Sequence, residues 1–470
     1  MAIELSEHFT YKKLLRFVYP AVIMMVFTSV YGVVDGVFVS NFAGDTAFAA
    51  VNLIMPVLMI LAAVGFMIGT GGSALISKTL GEGEADRARG IFSMLVYATV
   101  ILGAILTVVG LLTIRPIAIL LKAEQEGILY ECEVYGSINM LGMTFFLLQN
   151  VFQSFFPLAE KPKLGLAVIV CAGVTNALLD GLFVAGLKMG LIGAALATVI
   201  GQAVGGLLPV IYFAFNRKCV LHLGKPLISV KAFLKSCANG SSEMMTNVSL
   251  SLVTILYNYQ LMSFAGRGGV AAYGVLMYVN FIFVAAFIGY SIGVTPIIGY
   301  NYGADNKEEL NNVLRKSLII IAVTSAAMFA LAVSLHYPFS MLFVGYNEEL
   351  FALTRRGFLI CSPIFLVLGF NIFGSSFFTA LNNGLISAII SFMRTLVFQV
   401  VFIIILPLVW QLDGVWAANV FAEITALGVT FALFMAHRKK YGYFIRNIKT
   451  ASKHRKDGKT PPENKQENCD

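Results

Sequence analysis

Apolar stretches of about twenty residues or more recur from one end of this chain to the other, and few architectures can accommodate them. A run of that length crosses roughly 30 Å of hydrocarbon as an α-helix, which satisfies all its backbone polar groups internally. Twelve such runs can be counted, at 14–40, 47–77, 91–113, 134–158, 164–187, 190–215, 237–265, 271–299, 314–336, 357–380, 385–409 and 414–437. The sequence therefore predicts an all-α polytopic membrane protein with twelve transmembrane helices, its surroundings the lipid bilayer. Over 470 residues, 58% hydrophobic and 12% charged, no water-soluble fold fits. The first run is too long for a signal-peptide core, lacks a small-residue cleavage site and contains Asp35, so it is expected to stay on the chain.

Charge sets the expected orientation. If the N-terminus is cytoplasmic, the outer segments hold only Arg115, Lys122, Lys188, Arg267, Arg355 and Arg356, and Arg394 lies within a helix. The remaining Lys and Arg fall inside, so both termini are expected in the cytoplasm. The net charge of +8 is thus a topology signal, and no nucleic-acid partner is implied. The six cysteines show no ligand or redox spacing. Gly71, Gly72, Ser77, Lys78 and Thr79 superficially approach a phosphate-binding loop, but Ser77 replaces the second glycine and the stretch lies in a membrane helix. With no nucleotide, metal-protease or nucleophile pattern, the chain is not expected to be an enzyme or to carry a cofactor. Any energy must come from an ion gradient.

The chain repeats itself. Phe42, Ala43 and Gly44 recur as Phe264, Ala265 and Gly266, and the ungapped match continues through Met55 and Met277, Gly71 and Gly293, and Gly81 and Gly303. Phe155 and Phe156 meet Phe377 and Phe378, and 193–202 meet 414–423. Six helices per half make the halves parallel repeats about an axis along the membrane normal, with a central cavity between them. The expected division is an N-terminal lobe at 1–215, a basic cytoplasmic linker at 216–236, a C-terminal lobe at 237–437 and a disordered tail at 438–470.

Intramembrane polar residues mark the candidate site. A carboxylate in mid-membrane costs roughly 2.5 to 3.5 kcal/mol and persists where it handles an ion, a proton or a charged substrate. Asp180 is such a residue, with Asn176 one turn earlier on the same face, and Tyr31 and Asp35 form a second acid-bearing face. Small residues at 190, 194, 197, 201 and 205 let helices approach closely, which can bring Thr198 near Asp180. Pro20 is a candidate bend in the first helix. Gln149, Asn150 and Gln153 either line a cavity or bond between helices. The first-half cluster is not duplicated: Asp35 corresponds to Tyr257, Asn176 to Phe398 and Asp180 to Phe402. The second half has Glu243, either a cavity residue or an interfacial acid, and Glu423, opposite Gln202. Tyr257, with several methionines and aromatic residues, suits either a pliable cavity for flat cations or ordinary packing. Glu124, Glu126, Glu131 and Glu133 read as a solvated outer loop.

The run Asn176, Leu179, Asp180, Gly186, Gly190, Gly193, Ala194, Ala195, Ala197, Thr198, Gln202 resembles the signature of the multidrug and toxic compound extrusion (MATE) family, and Pro20, Tyr31 and Asp35 resemble its bent first helix. The resemblance covers about 14–437 and is nearest to the bacterial DinF-like and MepA-like branch. It implies a monomeric antiporter of the bacterial cytoplasmic (inner) membrane that exports small amphipathic organic cations in exchange for inward H⁺ or Na⁺. Tyr31, Asp35, Asn176, Asp180 and Thr198 match the family's coupling site, with Na⁺ expected at Asp35, Asn176, Asp180 and Thr198 if sodium is the ion. Gln149, Gln153, Glu243, Tyr257 and Glu423 are candidate substrate-cavity residues. The alternative is a lipid-linked saccharide flippase of the same superfamily, whose anionic substrate would call for basic cavity residues.

Overall fold

The computed structural model describes residues 3–121, 123–124, 127–217, 219–345 and 347–444, and every regular element among them is helical. Twelve helices follow one another: α1 Tyr11–Phe38, α2 Asp45–Gly81, α3 Ala85–Leu120, α4 as Leu129–Leu141 and Met143–Leu158 joined at Gly142, α5 Pro162–Asp180, and α6 Gly190–Phe215. The second half continues with α7 Val230–Gly266, α8 Gly268–Gly303, α9 Lys307–Val344, α10 Glu348–Ala380, α11 at 384–410 and α12 at 412–441. The chain is a multi-pass membrane protein.

Several helices start before their apolar runs, because polar first turns project beyond the hydrocarbon and are capped there. Ser229, Asn306 and Asn347 each accept a hydrogen bond from a backbone N–H of the first turn of α7, α9 and α10. The linker is correspondingly shorter than expected, 216–229 rather than 216–236. Glu131 and Glu133, expected in a loop, lie in α4, where Glu133 pairs with Arg115 at 3.1 Å. At the other end α12 runs to Tyr441, and Tyr441 and Tyr443 pack against Phe377, Phe378 and Phe434. The second half therefore extends through 444, and the rest of the expected tail, with Cys469, lies outside the described residues, as does Glu126.

The repeat is written in the backbone as well as the sequence. Left-handed residues stand at matching turns: Gly44 and Gly266 (φ 94° and 58°), Gly83 and Asp305 (82° and 49°), Glu160 and Asn382 (60° and 57°), and Gly190 and Gln411 (58° and 50°). L side chains adopt this region only at a cost, so four coincidences mark inherited chain reversals rather than local preference. Each half also has its own core. Phe92, Phe152, Phe155 and Phe213 pack in the first half, and Phe373, Phe377, Phe378 and Trp416 in the second, which additionally takes in Phe9, Leu14, Phe17 and Val18 from the start of the chain.

The halves meet tightly at the end of the molecule where α1 begins and α12 ends. A Cβ on Gly81 would collide with the Tyr300 carbonyl, and one on Gly303 with the Lys78 carbonyl, the same contact carried over by the repeat. Gly71 and Gly240 likewise place α2 and α7 backbone to backbone, and Gly293 fits against Val18. Toward the opposite end α2 and α8 are less covered: Pro56 and Met59, and their counterparts Tyr278 and Phe281, are exposed, whereas both helices are almost wholly buried further along. This difference in exposure is what a cleft between the halves, closed at one end and open at the other, would produce.

A short segment ahead of α1 spans the closed end. The Leu5 N–H donates to Glu160 Oε1 of the first half at 2.8 Å. Four residues later the Phe9 N–H donates to Glu309 Oε1 of the second half at 2.9 Å, and His8 Nδ1 lies 2.6 Å from Glu309 Oε2. Lys316 Nζ donates to the Phe9 carbonyl at 2.5 Å.

Candidate functional site

The polar cluster of the first half is assembled from α1, α4, α5 and α6, and glycines make its room. Gly173 lies against Phe27 and Tyr31, Gly201 against Asn176, and Gly205 against Gln149, so a methyl group at any of the three would press on a site residue or its ring neighbour. The small-residue stripe of α6 thus works as expected, but the Thr198 hydroxyl donates to Asp35 Oδ1 at 3.3 Å and to its own helix at Ala194 O at 3.0 Å, rather than to Asp180. Gln149 Nε2 donates to the Tyr31 hydroxyl at 3.4 Å. Pro20 is buried within α1, which continues as helix to Phe38; its missing N–H leaves the Arg16 carbonyl without the usual helical donor.

Asp35 and Asp180 face one another, with Asn176 beside Asp35. Asp180 is fully buried, and neither carboxyl oxygen accepts a hydrogen bond from any described residue. Immediately after it the chain widens into a π-helical turn, Gly181–Gly186, a distortion that recurs at functional sites. An ionised carboxylate with no donor and no counter-charge in an apolar interior is strongly disfavoured. The cluster can become neutral by taking up a proton or by binding a cation. Asp35, Asp180, the Asn176 amide oxygen and the Thr198 hydroxyl are hard oxygen donors, the set a Na⁺ ion would use.

Further polar atoms around the pair are left open. Asn176 Nδ2 and the side-chain oxygens of Gln149, Gln153 and Gln202 have no hydrogen-bond partner among the described residues. Tyr135, near both carboxylates, and Asn139, whose amide donates to the Tyr135 carbonyl at 2.9 Å, belong to the same region and were not anticipated. Their signal was present: a tyrosine and an asparagine four apart share one face of an apolar helix.

The second half treats the matching positions differently. Tyr257, the counterpart of Asp35, is buried, stacks on Tyr273 at 5.1 Å and donates its hydroxyl to Gln399 Oε1 at 3.0 Å. Gln399 in turn donates to Asn419, the counterpart of Thr198. Glu423 is buried and fully engaged: Asn371 Nδ2 donates to its Oε2 at 2.7 Å, Arg394 Nη1 to its Oε1 at 3.4 Å, and the Thr430 hydroxyl to Asn371 Oδ1 at 2.9 Å. Glu243, half-buried on α7, lies within electrostatic reach of Arg394 without forming an ion pair with it. Of the candidate cavity residues, Gln149 therefore joins the first-half cluster, Gln153 is buried one turn further along α4, and Tyr257, Glu243 and Glu423 form separate arrangements in the second half.

The model of the MatE family matches the chain twice, over residues 20–182 and 242–405, in register with the internal repeat. Among curated relatives, a multidrug export protein MepA of Staphylococcus haemolyticus is 26% identical over 322 residues, covering 68% of this chain and 71% of its own. A MepA of Staphylococcus aureus (strain NCTC 8325) is 26% identical over 325 residues, 67% and 69% of the two chains. Among solved structures, a MATE in complex with MaL6 superposes with a TM-score of 0.86 at 22% identity over 93% of this chain and 98% of that one. An outward-facing multidrug resistance MATE transporter gives 0.86 at 22% identity, covering 93% and 97%.

Proposed function

Because the chain belongs to the MatE family of multidrug and toxic compound extrusion transporters, we propose that it is a secondary antiporter of the bacterial cytoplasmic membrane, exporting small amphipathic organic cations by alternating access as H⁺ or Na⁺ enters. The observation that carries this reading is Asp180, buried and without a donor opposite Asp35. When ionised, the pair attracts a cation into the cleft; when it holds a proton or Na⁺, that attraction is gone. Ion and drug thus compete for one charge, directly or through the shape of α1 around Pro20. With both termini cytoplasmic, the glycine-packed end faces the cytoplasm and the cleft opens outward, so ions arrive from outside as drug departs.

A flippase for an anionic lipid-linked saccharide is not favoured, because Arg394, the basic residue in mid-helix, is already engaged by Glu423. Two measurements test the antiporter. In sealed vesicles, uptake of a fluorescent cation should follow an imposed pH or Na⁺ gradient, and binding by purified protein should weaken as pH falls from 8 to 6 or as Na⁺ rises. Transport indifferent to both gradients, with binding flat across both titrations, would reject it.

A further inference from the structure

Where α1 and α9 begin side by side, a cavity of about 420 Å³ is lined by Tyr11, Asn312, Arg315, Lys316 and Ile319, with Glu308 also in its wall. Two properties set it apart from an ordinary surface hollow. Its charge is basic: Lys316 lies 5.5 Å over the Tyr11 ring, which orients the ammonium. Among the described residues no carboxylate forms an ion pair with Arg315 or Lys316. Exposed Lys12 and Arg16 add positive charge from α1; the acids nearby are Glu308 in the wall and Glu309, which is buried and already bound by His8, the Phe9 N–H and Asn312.

The second property is what lies beyond the cavity. Along α1, Tyr11, Leu15 and Tyr19 form an exposed stripe at four-residue spacing, and along α9, Arg315, Ile319 and Val323 form another, with Tyr19 61% and Val323 66% exposed. Both stripes start polar or basic at the helix beginning and turn apolar as the helices run into the membrane. A basic pocket at the membrane boundary opening onto two apolar tracks matches a molecule with a phosphate at one end and hydrocarbon at the other.

We propose that this cavity binds the headgroup of an anionic phospholipid, with Arg315 and Lys316 holding the phosphate and the acyl chains lying along Leu15, Tyr19, Ile319 and Val323. The site rests on the proposed topology only for being in the inner leaflet. Lys316 also holds the Phe9 carbonyl, so a bound lipid steadies the segment that ties the two halves together at their closed end. Anionic lipid therefore favours the conformation described here over the one that opens toward the termini.

The test uses the full chain purified in detergent with equimolar phosphatidylglycerol and phosphatidylcholine, read by native mass spectrometry, which is independent of transport. Phosphatidylglycerol should be retained in preference. Arg315→Gln and Lys316→Gln should each lower retention about fivefold, the expected share of one basic residue at an anionic surface, while Lys316→Arg should keep it. Arg87→Gln, removing a basic residue from the α3 end, should change nothing. Equal retention of the two lipids, or an unchanged preference in the double variant, overturns the proposal. Displacement of the lipid by millimolar inorganic phosphate would make this a free-phosphate site and overturn it as well. If the Lys316 variants do not fold, Ile319→Trp in the otherwise unaltered chain reports the same contact. Brominated phosphatidylglycerol should quench that tryptophan more than brominated phosphatidylcholine, and equal quenching rejects the site.

Discussion

The two halves place the same helices at matching positions and settle their polar groups in opposite ways. In the first half Asp180 accepts no hydrogen bond from a described residue, and the side-chain oxygens of Gln149 and Gln202 are open. Their second-half counterparts, Asn371 and Glu423, bond to each other, to Thr430 and to Arg394. Asp35 is matched by Tyr257, a neutral group with a partner. Unmet acceptors on the acid itself leave the first half able to gain and lose a ligand, whereas the Glu423 carboxylate, bonded through both oxygens, is held in place even though Arg394 Nε lacks a partner. On the proposed function, the difference would give exchange to the first half and scaffolding to the second.

The most severe way to break that division is to remove the key polar group from each side in turn. Asp180→Asn should reduce ion-driven export to the background of membranes lacking the protein, with normal expression and insertion. Tyr257→Phe should leave export intact and cost about 1–3 kcal/mol of stability through the unpaired Gln399. If Asp180→Asn still exports at the unaltered rate, the assignment of exchange to the first half fails.

A second prediction probes the scaffold. Glu423→Gln removes the carboxylate paired with buried Arg394, leaving the more distant Glu243 as its nearby acid, and should lower stability by up to about 3–5 kcal/mol, measured by thermal unfolding in detergent. The double change Arg394→Met with Glu423→Leu should recover much of that loss. A Glu423→Gln protein as stable as the original would mean that this network does not hold the second half together.

The smallest effect concerns the segment across the closed end. Burial, reinforced by Glu4 and Glu7, pushes Glu160 up to about 7, while the Leu5 N–H and Lys161 oppose the shift. The docked carboxyl holds its proton more tightly than a free one, so the stabilisation is complete below about 4.5 and is lost as pH rises through 7. A spin label at Ser6→Cys should accordingly become more mobile between pH 6 and 8, and Glu160→Gln should flatten the change. A mobility independent of pH in the unaltered protein would contradict it.

Much of this was legible in the sequence for a simple reason: a membrane forces each crossing to be long and apolar, so the helices, the repeat and the isolated acids of α1 and α5 stand out. What could not be read were pairings across helices. The Thr198 hydroxyl reaching Asp35, the engagement of Glu423 by Asn371 and Arg394, and the place of Tyr135 beside the acids depend on rotation and tilt, which spacing along one helix does not set. Helix ends were misjudged where capped polar turns such as 307–313 extend a helix into water, since the apolar run marks only the hydrocarbon.

The glycine contacts at Gly71, Gly81, Gly240 and Gly303 have an electrical consequence. Backbone pressed against backbone leaves no room for a file of water at these contacts, so this end of the molecule would insulate, whereas a cleft open at the other end would conduct. In the proposed orientation most of the membrane voltage falls across the packed end, between the acids and the cytoplasm. An ion entering from outside thus reaches Asp180 having crossed little of the field, and its binding should depend weakly on voltage. The roughly 2.3 kcal/mol that 100 mV exerts on each charge is spent instead when the seal moves to the other side.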